Sequence, residues 1–76
     1  MMTNLYKMLK KYNGVIYPVE GKFCVTVFEW KNEKVKIIKV INKKCVLCEN
    51  LYDFKLTDFA PEDIFNTLEE AIEALN

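Results

Sequence analysis

The 76-residue sequence predicts a small α+β domain: an antiparallel sheet of four to five strands flanked by a short N-terminal helix and a C-terminal helix. Three observations lead there. Apolar residues recur at helical spacing near both ends of the chain, and the middle is dense in Val, Ile, Phe, Tyr and Trp. Turn signals also interrupt that middle every eight to twelve residues or so, as in an antiparallel meander or a small open barrel. No linker, repeat or low-complexity stretch divides the chain, so residues 1–76 read as one domain.

Over residues 4–12, Leu5, Met8, Leu9 and Tyr12 fall at i, i+3, i+4 and i+7, the apolar stripe of a helix. Thr3 or Asn4 caps its start and Asn13-Gly14 ends it, leaving Lys7, Lys10 and Lys11 toward the end where the helix dipole favours cations. Val15 to Val19 reads as a short strand, held to an edge by Pro18, which has no N–H for a ladder. Glu20-Gly21 turns into the longest strand, Lys22 to Trp30, and Asn32-Glu33 turns that into Lys34 to Ile41. Asn42-Lys43-Lys44 leads to Cys45 to Glu49, and a reversal at Glu49-Asn50 leads to a further strand, Leu51 to Leu56. Pro61 to Phe65 reads as a single turn that drops Ile64 and Phe65 into the core. Thr67-Leu68-Glu69-Glu70 fits a capping box, in which the Thr67 hydroxyl and the Glu70 carboxylate satisfy N–H groups reciprocally. The helix it starts buries Leu68, Ala71, Ile72 and Leu75.

Composition removes most catalytic chemistry. The chain has no His, Ser, Arg or Gln, which excludes a Ser-His-Asp triad, a Cys-His dyad, an imidazole acid or base, an arginine finger and a His-ligated metal. A chain this short can hardly enclose a drug-sized pocket within its core, so no enzyme is expected. The first twenty residues hold no apolar run long enough for a signal peptide, and no segment approaches the roughly 18 apolar residues of a membrane span. With an odd number of cysteines, three, a disulfide framework is not expected, and the reading is a cytoplasmic protein with its thiols reduced or bound to metal.

Those cysteines are the first candidate site. Cys45 and Cys48 form a C-x-x-C pair at a spacing that lets two thiolates grip one tetrahedral ion from a tight turn, and Cys24 lies on the long strand. A domain of this length buries only about 60–65% of the surface its unfolded chain exposes, so a structural zinc ion would be a useful staple. Its apparent contribution to folding would be on the order of 10 kcal/mol. Asp53 is the first choice for the fourth ligand, with Glu20 and Asp58 behind it. Two alternatives stay open: three inert, partly buried thiols, and a redox pair, although a thioredoxin-type C-x-x-C opens a helix after a first strand.

Charge supplies the second candidate. The formal net charge is zero, yet residues 1–48 carry ten lysines against three acids, a net +7, and residues 49–76 carry one lysine against eight acids, a net −7. The lysines, interleaved with aromatics, suit a nucleic-acid platform, although they equally suit the solvated face and guarded edges of a sheet. The absence of arginine counts against nucleic acid, because its planar fork is the preferred reader of phosphates and guanines. The acids of the tail, Glu62, Asp63, Glu69, Glu70 and Glu73, with Asp53 and Asp58 nearby, suit imitation of a phosphate backbone or docking on a basic protein surface. They also complement a helix dipole and solubilise an amphipathic helix.

The lysine-rich start, the strands with a cysteine pair and the ending Asp63-Ile64-Phe65-Asn66-Thr67-Leu68-Glu69-Glu70-Ala71-Ile72-Glu73-Ala74-Leu75 resemble small proteins of Gram-positive phages and mobile elements. Among these the chain is similar to the compact anti-CRISPR proteins that act on type II-A Cas9, including a kind with a structural metal. The resemblance implies a stoichiometric, non-catalytic inhibitor in the bacterial cytoplasm that blocks guide loading, target-DNA engagement or the nuclease step. Cas9 holds its heteroduplex in a positively charged channel, so the carboxylates of residues 62–73 would steer the encounter and exposed aromatics would anchor it. The rival expectation is a small nucleic-acid-binding β domain.

Overall fold

The computed structural model describes residue 12, residues 14–27 and residues 36–76. The expected N-terminal helix up to Lys11, the end of the long strand at Phe28–Trp30, the Asn32-Glu33 turn and the Lys34–Val35 start of the next strand lie outside the described residues. Within them the chain forms β1 (Gly14–Val19), β2 (Lys22–Val27), β3 (Ile37–Val40) and β4 (Cys45–Cys48). Two 3₁₀ turns follow, Leu56–Asp58 and Pro61–Asp63, then the two-residue β5 (Ile64–Phe65) and helix α1 (Leu68–Leu75). This is a small α+β fold built on one five-stranded sheet in the order β3-β4-β1-β2-β5.

The sheet is mixed, where a purely antiparallel one was expected. β1 pairs antiparallel with β2 but parallel with β4, and β3 pairs antiparallel with β4. The cause lies in the connections. Glu20 and Gly21 both have positive φ, 50° and 81°, so they form a tight type I′ turn and β2 returns beside β1. β4 lies on the other side of β1 from β2 and runs in the same direction as β1.

Pro18 does not hold β1 at an edge: β1 is the central strand. The β4 ladder covers only Gly14–Ile16 of β1, so it ends before Pro18 is reached. On the other side Pro18 lies opposite Phe23. A two-residue hairpin loop closes with the hydrogen-bonded pair Val19–Lys22, which makes Pro18–Phe23 a pair that exchanges no hydrogen bonds. The proline nitrogen therefore points away from β2, toward a side where, among the described residues, no strand pairs with it, so its missing N–H breaks no ladder bond there.

Strand alternation sends side chains of β1 to both faces, and both faces are covered. Val15, Tyr17, Val19, Cys24, Val46 and Cys48 form a buried cluster on one face. Ile16, Val25, Cys45 and Ala71 form another on the opposite face, beneath Leu68, Ile72 and Leu75 of α1. The capping box is present as read: the Glu70 N–H donates to Thr67 Oγ1 at 3.1 Å, and the Thr67 N–H donates to Glu70 Oε1 at 3.2 Å. Gly14 matters for packing here, because a Cβ at that position would lie 2.6 Å from Leu75 Cδ2.

The expected strand Leu51–Leu56 is replaced by a loop and a 3₁₀ turn. Asn50 closes the loop from both sides: the Phe54 N–H donates to its Oδ1 at 2.8 Å, and its Nδ2 donates to the Phe54 carbonyl at 3.1 Å. Asp53 then adopts a left-handed φ of 56°, which no strand accommodates. The Glu20 carboxylate accepts the Leu56 N–H at 2.8 Å, tying the loop to the β1–β2 turn. Phe54 stacks edge-on against Tyr17 and Phe59, at ring-centroid distances of 5.2 and 5.3 Å. That aromatic cluster covers the face opposite α1. The Pro61 turn drops Ile64 and Phe65 into the fold as expected, one to each face.

Candidate interaction surface

The three thiols are buried and none is in a disulfide. They do not converge. Cys45 and Cys48 are three residues apart on a strand, so their side chains fall on opposite faces, Cys45 beneath α1 and Cys48 with Cys24 on the aromatic side. A C-x-x-C grips one ion only when the two residues flank a turn, and β4 is extended. Cys24 pairs across the sheet with Tyr17 of β1, which lies between β2 and β4. Two strand spacings, about 9.6 Å, therefore separate the backbones carrying Cys24 and Cys48, beyond the ~7 Å limit for a disulfide.

Asp53, the expected fourth zinc ligand, lies in the exposed 50–55 loop with its Oδ1 3.6 Å from Lys55 Nζ. Among the described residues no group of three Cys, Asp or Glu side chains is placed to hold a metal ion. The four expected ligands, Cys24, Cys45, Cys48 and Asp53, as placed do not fit a zinc site. Burial pushes the Cys24 thiol above its ordinary value and the carboxylates of Asp63 and Glu20 push it further up, while burial alone raises Cys45.

The charges are arranged differently from the thiols. Lys36 and Lys39 flank or occupy β3, and Lys43 and Lys44 follow in the β3–β4 turn, all exposed at one edge of the sheet. Glu62 and Asp63 belong to the turn before β5 and Asp58 to the preceding 3₁₀ turn, at the other edge. Glu69, Glu70 and Glu73 continue that acidic side along α1, which packs mainly on β2 and β5. Four strand spacings, about 19 Å, separate β3 from β5. Among the described residues two ion pairs form, Lys36–Glu49 at 3.4 Å and Lys55–Asp53 at 3.6 Å, and neither bridges the two edges.

A groove of about 690 Å³ lies at the acidic edge. Val25, Thr26 and Val27 of β2 line it together with Asp58, Glu62 and Asp63. Phe65 and Ala74 connect it to a shallower hollow of about 500 Å³ beneath Glu69, Glu70 and Glu73. The five tail carboxylates singled out in the sequence thus rim one concave surface. Asp63 among them is half-buried and the other four are exposed.

Asp58, expected near these acids, lies along the groove, and Asp53, expected there too, does not; the lining from β2 is the part of this surface that sequence reasoning missed. One signal was present: Pro61 cannot continue a strand ladder, so whatever paired with β2 had to begin after it and be short. No helix among the described residues is long and apolar enough to cross a membrane. Comparison with protein-family models, curated proteins and solved structures gives no match.

Proposed function

We propose that this protein is a non-catalytic binding module that docks by its β5–α1 edge on a basic surface of a partner protein and inhibits that partner stoichiometrically. The observation that carries this reading is the separation of charge across the sheet. Lysines 36, 39, 43 and 44 gather at β3, and the carboxylates of residues 58, 62, 63, 69, 70 and 73 gather around a partly apolar groove at the opposite edge. Such a surface has the two parts an interface uses, charge to steer the encounter and desolvatable area to hold it. On the resemblance noted in the sequence, a type II-A Cas9 is the partner to test, and its nucleic-acid channel has the required sign.

The test is inhibition of DNA cleavage by guide-loaded Cas9, measured for the native chain and for Glu62→Lys/Glu69→Lys/Glu73→Lys. Glu70 is left in place because it belongs to the helix cap. The triple variant is expected to lose inhibition about 100-fold or more, because it sets like charges against each other across the interface, with the native melting temperature retained. Binding to bare DNA or RNA that strengthens on charge reversal, with no effect on cleavage by either protein, would identify a nucleic-acid binder instead.

A further inference from the structure

We propose that the outer edge of β2 at Val25–Val27 accepts an extended, lysine- or arginine-bearing segment of the partner as an added strand of the sheet. This rests on the reading of the acidic edge as partner-binding, and specifies the chemistry of what binds there.

The backbone geometry follows from the turn. With Val19–Lys22 closing a type I′ loop, hydrogen-bonded pairs alternate along β1 and β2, so Tyr17–Cys24 and Val15–Thr26 exchange hydrogen bonds while Ile16–Val25 and Gly14–Val27 do not. Gly14 agrees: its N–H donates away from β2, to the Lys44 carbonyl at 3.0 Å. The N–H and C=O groups of Val25 and Val27 consequently face outward. β5 pairs only with Phe23 and Cys24, and the ladder on that side ends there because Pro61–Asp63 turns the chain away. Among the described residues, no strand lies beside Val25–Val27 on the outer side.

The two outer edges of the sheet differ in how they are guarded. β3 carries Lys39 and an irregularity between Ile37 and Lys39, both of which discourage strand addition. β2 carries Val25, Thr26 and Val27 at its open end, with Val27 73% exposed. An unguarded apolar edge suits strand addition, in which main-chain hydrogen bonds supply affinity and alternate side chains supply selectivity. An added strand would send alternate side chains to the two faces, one set beside Val25, Val27 and Leu75, the other beside Thr26 and Phe59. Asp58, Glu62 and Asp63 along the groove select for cationic side chains among them.

The experiment titrates the full-length protein, labelled with ¹⁵N, with the acetylated and amidated octapeptide (Val-Lys)₄. Two further probes are the same peptide N-methylated at alternate residues and (Val-Glu)₄. The lysine peptide is expected to shift the amide resonances of Val25 and Val27 most, and to bind about tenfold or more tightly than the N-methylated peptide, which keeps the charges but lacks the ladder donors. Val27→Pro, which removes one outward donor and leaves the β1 ladder intact, is expected to weaken the lysine peptide similarly. Equal binding of the methylated peptide, equal binding of (Val-Glu)₄, shifts centred on β3, absence of binding, or concentration-dependent self-association through residues 25–27 in place of peptide binding each overturns the proposal. If the peptide fails while Glu62→Lys/Glu69→Lys/Glu73→Lys still abolishes inhibition, strand addition falls and the acidic docking surface stands.

Discussion

The two faces of the sheet are covered by opposite means. On one, α1 lays a regular apolar stripe across Ile16, Val25 and Cys45, started by a cap whose two partners are three residues apart. On the other, an irregular segment covers Val15, Tyr17 and Cys48 with Phe54, Leu56 and Phe59, held by Asn50 across its own loop and by Glu20 from 36 residues away. A helix satisfies its backbone internally, so it needs only a cap and a stripe. A covering loop must find a partner for each buried polar group by tertiary contact, and each such contact becomes a single point of failure.

That contrast can be broken most directly at Phe54. It contacts Tyr17, Tyr52 and Phe59 through its ring, with centroid distances of 5.2–5.3 Å, and it is half-buried. Phe54→Ala is expected to cost about 2–3 kcal/mol in urea denaturation, at or below the bottom of the range of about 3–5 kcal/mol for buried Phe-to-Ala changes because the ring is not fully enclosed. An unchanged midpoint would mean that the aromatic side contributes little to global stability.

Caps on the two faces give the next comparison. Asn50→Ala removes two partly buried hydrogen bonds to Phe54 and is expected to cost about 1–2 kcal/mol, whereas Thr67→Ala removes an exposed helix cap and is expected to cost about 1 kcal/mol. Hydrogen exchange should separate them further, with Asn50→Ala speeding exchange in residues 50–59 and Thr67→Ala speeding it in the first turn of α1. Exchange that accelerates equally throughout would show that both faces open only by global unfolding.

The smallest effect concerns pH. Cys24 and Cys45 have folded-state values raised above the ordinary 9.0, so below pH 9 both folded and unfolded thiols are protonated and stability is unaffected by them. As pH rises above 9, the unfolded chain loses its thiol protons first, and stability falls until the folded-state values are passed. Cys24→Ala should flatten part of that alkaline decline. Cys45→Ala, on the helix-covered face, should flatten another part of it.

What was legible follows the same division between local and long-range causes. The Glu20-Gly21 turn, the strand at Cys45, the Pro61 turn and the Thr67 cap each depend on residues within a few positions of one another, and each lies where the sequence predicts it. The parallel pairing of β1 with β4 and the central place of Pro18 depend on where the chain returns after 17 residues between β2 and β4, which no local pattern encodes. The same limit explains the cysteines. Their spacing fits a metal-binding turn or a strand equally well, and only the extended backbone of β4 divides them between the two faces.

The sequence by itself determined an α+β chain with a capped acidic helix, a zero net charge hiding +7 and −7 segments, and no imidazole or arginine chemistry. Whether those segments cancel was decided by the tertiary structure alone. Strand order sets β3 and β5 at opposite edges, so Lys36, Lys39, Lys43 and Lys44 lie apart from Asp58, Glu62, Asp63, Glu69, Glu70 and Glu73, while Lys36 meets Glu49 at 3.4 Å and Lys22 of β2 reaches Asn66 beside β5. Charge is a property of composition, but its field depends on distance, and distance is fixed only when the strands choose their neighbours.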